Sequence, residues 1–529
     1  MGIQNRPAVI YFPIILAIFF VAGIFVGKTL KHDEIIQQQK DKLSDVFELI
    51  TEKYVDSVSY EELIDRTIPK ILETLDPHTI YIPAEELAEI NESLEGNFDG
   101  IGIQFNIQND TVVVVNTIPG GPSADKGVMA GDRIVKVDGK VIAGVKISNN
   151  NVMKLLKGRK GTKVIIGVKR KNVNEILDYE ITRDEIPLWS IDVAYMIDKI
   201  TGYIKISKFS RTTYEEFIEK FDGLKKQGLK KLIIDLRDNG GGYMDAATDL
   251  ADEFLDYGKL IVYTQGAHQL KNEVFSTTAN KGKDIEVAVL LNEFSASASE
   301  IFAGALQDND RAIIVGRRSF GKGLVQEQIP LTDGSAIRLT VARYYTPVGR
   351  SVQKPYSEGV DDYYSDLEKR YYNGEFDAPD STKFADSLKF ITPGGKVVYG
   401  GGGIMPDVFV GVDSLGVSDY FFDINDRSLV YRYAFEFTDN NRNKLNTLKN
   451  HKEIIAFIDS KNILEDFVNY AEKNGVKRNP EQIKISQKVI LTQIKAHIAR
   501  NIIDDIGFYP IIKEIDGTLL KAIEVLEKK

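Results

Sequence analysis

Residues 285–291 read Ile-Glu-Val-Ala-Val-Leu-Leu and pass without a break into Asn292-Glu293-Phe294-Ser295-Ala296-Ser297-Ala298-Ser299-Glu300, then into an amphipathic run ending at Leu306. A short apolar run reads as a buried strand, and the helical spacing after it reads as a helix. A buried strand delivered straight into a helix calls for crossover connections and a sheet covered by helices. The turn consists of small residues, so a second backbone can come close. A helix start has unpaired N–H groups and a partial positive charge, which suits a developing oxyanion. Serines at such turns usually cap helices. In the alternation, Ser295 can cap while Ser297 faces a site, which makes Ser297 the candidate nucleophile and the Ala298 N–H a candidate oxyanion donor.

The same alternation extends both ways. Tyr203 to Ile206, Leu232 to Leu236 and Leu260 to Tyr263 read as strands. A helix is expected from Tyr214 to Leu224, and another with Met244, Ala247, Leu250, Ala251, Phe254 and Leu255 on one face. Strands alternating with helices predict a largely parallel sheet. Gln326 to Ile329 and Ala336 to Arg343 predict a hairpin around Thr332-Asp333-Gly334. A polar, tyrosine-rich insert, 355–390, is expected to be a surface excursion, with Ile404 to Val408 returning to the core.

Upstream, 97–185 has a β pattern with glycine turns, including Gly100-Ile101-Gly102-Ile103, Pro119-Gly120-Gly121-Pro122-Ser123-Ala124 and Gly131-Asp132-Arg133-Ile134. Residues 28–96 and 423–529 have helical spacing, the former with Pro69 interrupting, and a dimer-forming arm is one reading of the N-terminal helices. Residues 8–27 carry no charge and are long enough to span a bilayer as a helix, an uncleaved anchor with a cleaved signal as the competing reading. The GxxxG pair Gly23 and Gly27 reads as coincidence rather than helix packing. The expected class is a multidomain α+β chain: flank 1–7, transmembrane helix 8–27, helical domain 28–96, β-domain 97–185, α/β core with a mixed sheet 186–422 and helical domain 423–529. At 529 residues several cores are expected. A net charge of −10 without a basic stripe argues against nucleic acid. The chain has no cysteine, which excludes disulfides, thiolate metal sites and cysteine nucleophiles.

The candidate base is Lys322 in Phe320-Gly321-Lys322-Gly323-Leu324-Val325-Gln326. It enters an apolar strand, where Lys322, Leu324 and Gln326 share a face because strand side chains alternate. A lysine acts as a base only when neutral. Lowering its pKa from about 10.4 to about 7 takes roughly 4–5 kcal/mol against the charged form. Burial and a positive helix end both act in that direction. Gln326 can hold the neutral amine without adding a negative charge. Asp235-Leu236-Arg237-Asp238-Asn239-Gly240-Gly241-Gly242 places three glycines after a strand, and Gly241 or Gly242 is the second candidate oxyanion donor.

Competing chemistries fail on residues. Gly316 to Lys322 fits the start of a phosphate-binding loop, but Gly323 stands where Ser or Thr would hold magnesium. None of the five histidines lies in a zinc-protease pattern. A Ser-His-Asp arrangement would have to use His268.

From Leu75-Asp76-Pro77-His78 to Val410 the chain resembles the carboxyl-terminal processing, or tail-specific, proteases. Ser-Ala-Ser-Ala-Ser-Glu paired with Phe-Gly-Lys-Gly-x-Val-Gln carries the resemblance, and its serine and lysine stand 25 residues apart, 322 minus 297. The resemblance implies a Ser297–Lys322 dyad supported by Gln326, no cofactor, and cleavage near the C-termini of protein substrates. It further implies that 97–185 is an inserted PDZ domain whose Gly100, Ile101, Gly102 and Ile103 hold a tail carboxylate. A bacterial exported enzyme, tethered to the inner membrane and facing the periplasm, is also implied. The glycine loop reads Asn-Gly-Gly-Gly where the family often has Asn-Pro-Gly-Gly. The reading from another class is a PDZ-bearing scaffold or chaperone with a silent protease core. A homo-oligomer is compatible with either.

Overall fold

The structure is a computed structural model that describes residues 42–171, 173–378, 386–412 and 416–528. The apolar stretch 8–27 and the Gly23/Gly27 pair lie outside them. Among the described residues no helix is long and apolar enough to cross a membrane.

The centre is a six-stranded mixed sheet in the order Ile191–Met196, Thr201–Ile206, Lys231–Asp235, Glu286–Leu291, Ala312–Gly316, Val408–Phe409. The first pair is antiparallel and the rest are parallel. Side-chain alternation divides each strand between two cores. Leu232, Ile234, Val287, Val289 and Leu291 face helices Thr213–Lys226, Met244–Asp252 and Ala298–Asp308. Ile233, Ala288, Leu290 and Val315 face the other way, onto Leu519, Ala522 and Leu526 of the last helix, Gly517–Glu527. The segment read as one C-terminal domain therefore divides. Residues from Tyr420 to Ile511 form their own helical core, while the last helix closes the open face of the central sheet.

A second, antiparallel sheet carries the predicted hairpin. Leu324–Pro330 pairs with the long strand Ala336–Tyr345, which also pairs with Ile80–Ile82 and Leu260–Gln265. The N-terminal region thus contributes a strand as well as helices, and helix Tyr60–Leu72 runs through Pro69. The β-domain has its own core and the strand order Ile103–Gln108, Thr111–Thr117, Arg133–Val137, Lys163–Lys169, Ile176–Thr182. Its connecting strands, Asn97–Gly100 and Asp184–Pro187, pair antiparallel, so the chain enters and leaves the domain side by side, and Arg133 Nη2 also pairs with Asp439 Oδ2 of the C-terminal helices at 3.0 Å.

The expectation that 355–390 is a surface excursion is overturned for the described part. Helix Val360–Tyr372 packs under the loop that leads to Lys322, with Tyr363 only 1% exposed. Arg370 donates to the carbonyls of Arg318 (2.7 Å) and Ser319 (3.2 Å), and Lys354 Nζ lies 4.1 Å from the ring centre of Phe320. Amphipathic spacing was hard to read in a stretch so rich in tyrosine and charge.

Candidate active site

Strand Glu286–Leu291 runs out into Asn292, and helix Ala298–Asp308 begins six residues after that asparagine. The turn between them is tied to the neighbouring glycine loop. Ser295 Oγ donates to Leu236 O (2.9 Å) and accepts from Asn292 N (3.0 Å). Ser299 Oγ donates to Asn239 O at 2.9 Å, and Ala296 N donates to the same carbonyl. Two of the three alternating serines are thus committed to structure. The middle one, Ser297, lines a cleft of about 550 Å³ together with Lys322, Gln326 and Tyr344. Its backbone has φ 57° and ψ −115°. A non-glycine residue in that region carries strain of about 1–3 kcal/mol, which the surrounding bonds must hold. Sharp strand-to-helix turns use such a conformation to present a nucleophile.

Glu300 holds the turn from behind. Its fully buried carboxylate accepts from Ser297 N (2.9 Å), Gly321 N (2.8 Å), Lys322 N (2.8 Å) and Ser319 Oγ. One side chain therefore fixes the backbones that carry the candidate nucleophile and the candidate base. Burial pushes its pKa up to about 6, against the pull of these donors. Tyr344 makes the same link through its hydroxyl, which reaches Ser297 O (3.2 Å) and Lys322 O (2.7 Å). The sequence reading gave Glu300 no role. The signal was present in the spacing Ser297-x-x-Glu300, that of a capping box.

Lys322 precedes the strand, which begins at Leu324, and a register shift separates Val325 from Gln326. The extra residue, Val341, is on the partner strand, so alternation along 322–328 is undisturbed and Lys322, Leu324, Gln326 and Gln328 all line the cleft. Lys322 Nζ donates to Gln326 Oε1 at 3.0 Å. Gln326 Nε2 donates to His78 O, which orients the amide with its oxygen toward the amine. Asp76, Pro77 and His78 form the turn beneath, where Asp76 accepts from His78 N (2.8 Å) and Thr79 N (2.9 Å). His78 Nε2 bonds Tyr363 Oη at 2.8 Å. Burial, with help from Lys322, lowers the His78 pKa to about 4, so the ring is neutral at neutral pH. The Lys322 pKa is lowered by burial first and by the Arg338 cation second, with Asp76 and Glu300 opposing. The amine is thus biased toward the neutral form a base requires.

The glycine loop approaches closely. A Cβ on Gly241 would lie 2.7 Å from Ser297 Cβ and 3.0 Å from Ala298 N, and Gly241 has φ +101°. Only glycine fits there. The Gly241 N–H is committed to Asn239 Oδ1 at 2.9 Å. Among the described residues, the N–H groups of Gly242 and Ala298 have no protein acceptor. His268 is exposed in the turn between Leu260–Gln265 and Asn272–Phe275 and does not line the cleft. Lys322 leads into a strand, not a helix, unlike the lysine of a phosphate-binding loop.

In the β-domain, Ile103–Gln108 is an edge strand. Gly100, Ile101 and Gly102 are buried where they lead into it, and Ile101 O accepts from Ser123 N (3.1 Å) and Ser123 Oγ. Gly102 has φ +70° and bends the chain into the strand, where Ile103 is part-buried.

Comparison with known proteins agrees with this layout. Residues 200–363 match the model of peptidase family S41, residues 100–181 match the PDZ domain, and residues 420–504 match a family of unknown function, DUF8443. The carboxy-terminal-processing protease of Bartonella bacilliformis is 38% identical over 352 residues, 64% of this chain and 80% of that protein. Carboxy-terminal processing protease CtpA of Bacillus subtilis is 34% identical over 63% of this chain and 73% of that protein. Among solved structures, the photosystem II D1 C-terminal processing protease aligns over 70% of this chain and 92% of its own, at 25% identity and TM-score 0.36. The chain belongs to the carboxy-terminal processing serine proteases of peptidase family S41.

Proposed function

We propose that Ser297 and Lys322 form the catalytic dyad of this protease. The observation that carries the reading is that one buried carboxylate, Glu300, binds the backbones of both residues while their side chains line a single cleft. The neutral Lys322 amine takes the Ser297 hydroxyl proton as Oγ attacks a peptide carbonyl. The resulting ammonium returns that proton to the leaving amine, which gives an acyl-enzyme. The amine then deprotonates a water that attacks the ester, and Ser297 leaves with the proton. Gln326 orients the amine in its neutral form. Of the two glycines considered, Gly242 joins Ala298 as the oxyanion donor, because the Gly241 N–H is already bonded to Asn239.

The substrate is a protein with an accessible C-terminal tail. The tail adds as a strand along the open edge of Ile103–Gln108, with its carboxylate at the Gly100–Ile103 bend. The charge-free stretch 8–27 supports attachment to a bacterial inner membrane with the protease exported to the periplasm. Protease accessibility in spheroplasts tests that orientation. The dyad is tested with an unstructured peptide ending in an apolar tail. Ser297→Ala and Lys322→Ala should each lower kcat at least about 10³-fold with folding intact. Unchanged cleavage by Ser297→Ala rejects the dyad. Tail binding by a wild type that cuts nothing favours a silent scaffold.

A further inference from the structure

Arg338 lies in the same cleft and, beyond helping to lower the Lys322 pKa, has no part in the chemistry above. It is the third residue of strand Ala336–Tyr345, opposite Ile80 on one side and Gln328 on the other. Its guanidinium donates to Gln328 Oε1 at 3.0 Å, and among the described residues no carboxylate lies within ion-pair distance of it. The cleft has two acids. Glu95 is bound by Arg211 (2.9 Å) and Tyr243 (2.8 Å), and Asp245 makes no ion pair with Arg338. A half-buried guanidinium beside a second basic residue is unfavourable unless an anion arrives. Its planar fork of donors matches a carboxylate, which it can bind through two parallel bonds.

We propose that Arg338 is a specificity-determining residue that receives a substrate carboxylate close to the scissile bond, either an Asp or Glu side chain or the substrate's own terminus. The inference rests on the dyad reading, since it concerns what that cleft accepts. Bringing the anion in also offsets the charge Lys322 acquires during attack, so the carboxylate matters more in the transition state than in the free enzyme.

Two peptide sets test it with the full-length enzyme. One scans Glu against Gln through the positions flanking the cleavage site. The other compares a free C-terminus with its amide. Wild type should prefer Glu at one position, or the free terminus, by about tenfold in kcat/KM. In Arg338→Gln that ratio should fall to within about twofold, whatever happens to the absolute rate, and Arg338→Lys should restore part of it. A terminal preference that survives Arg338→Gln belongs to the PDZ domain. If Arg338→Gln does not fold, the wild-type ratios and Arg338→Lys decide. Cleavage without any carboxylate preference, or preferences unchanged in Arg338→Gln, overturns the assignment and leaves the dyad standing. No cleavage of any peptide overturns both.

Discussion

Two buried carboxylates, Asp235 and Glu300, support the two loops that meet at the cleft, and they are stabilised by different means. Asp235, at the head of the glycine loop, is surrounded by cations. It accepts from Arg237 Nη2 (2.6 Å) and Tyr203 Oη (2.7 Å), and Lys205 Nζ lies 3.5 Å away. Despite complete burial its pKa is held well below the usual carboxylate range, by Arg237 above all and by Lys205. Glu300 has no cation in its bonds, only three backbone N–H groups and a hydroxyl, and its pKa rises to about 6. Charge compensation makes one carboxylate a permanent anchor. Dipole compensation leaves the other close to titration near neutral pH, directly behind the candidate nucleophile.

The largest effect should come from breaking the charged anchor. Arg237→Met leaves Asp235 buried with Lys205 as its one remaining cation and Asp516 without its fork, at about 3–5 kcal/mol by urea unfolding. A loss below about 1 kcal/mol would mean that Lys205 and Tyr203 suffice. The next effect separates the two carboxylates by pH. The folded-state pKa of Glu300 is raised, so its stabilising contribution is full below about pH 4.5 and is lost as pH rises through about 6. Wild-type stability minus that of Glu300→Gln should therefore fall by about 2 kcal/mol across that window. The same difference for Asp235→Asn should be flat there. His78 and His497, both lowered to about 4 by burial, act in the opposite direction but cancel in each difference. Glu300→Gln should also lower kcat about 10²-fold, because one amide oxygen cannot accept four donors and the turn shifts. The smallest effect should be Asp516→Asn, which weakens a fork made at 2.9 and 2.7 Å and should cost about 1 kcal/mol, read as a Tm shift of a few degrees.

The fold was most legible where burial imposed a simple period. The read strand Leu232 to Leu236 is observed as Lys231–Asp235, and Ile285 to Leu291 as Glu286–Leu291, because strands apolar on both faces leave little else to choose. Ser297, Lys322 and Gln326 could be named because a strand-to-helix turn and a glycine-flanked lysine have local chemistry. What was not legible depends on contacts between distant segments. Gln326 needs the carbonyl of His78, 248 residues away. The helix in the insert was missed for the same reason, since Tyr363 and Arg370 are buried against partners far along the chain.

The last helix sets a condition on when this enzyme can become one. Tyr203, Ile233, Ala288, Leu290 and Val315 are covered chiefly by Leu519, Ala522 and Leu526, with Tyr509 beside Tyr203. During synthesis the central sheet keeps much of one greasy side bare until the helix Gly517–Glu527 has been added. Premature chains lack the cover that completes the scaffold under the cleft. A destructive activity is thereby tied to the arrival of one distant helix.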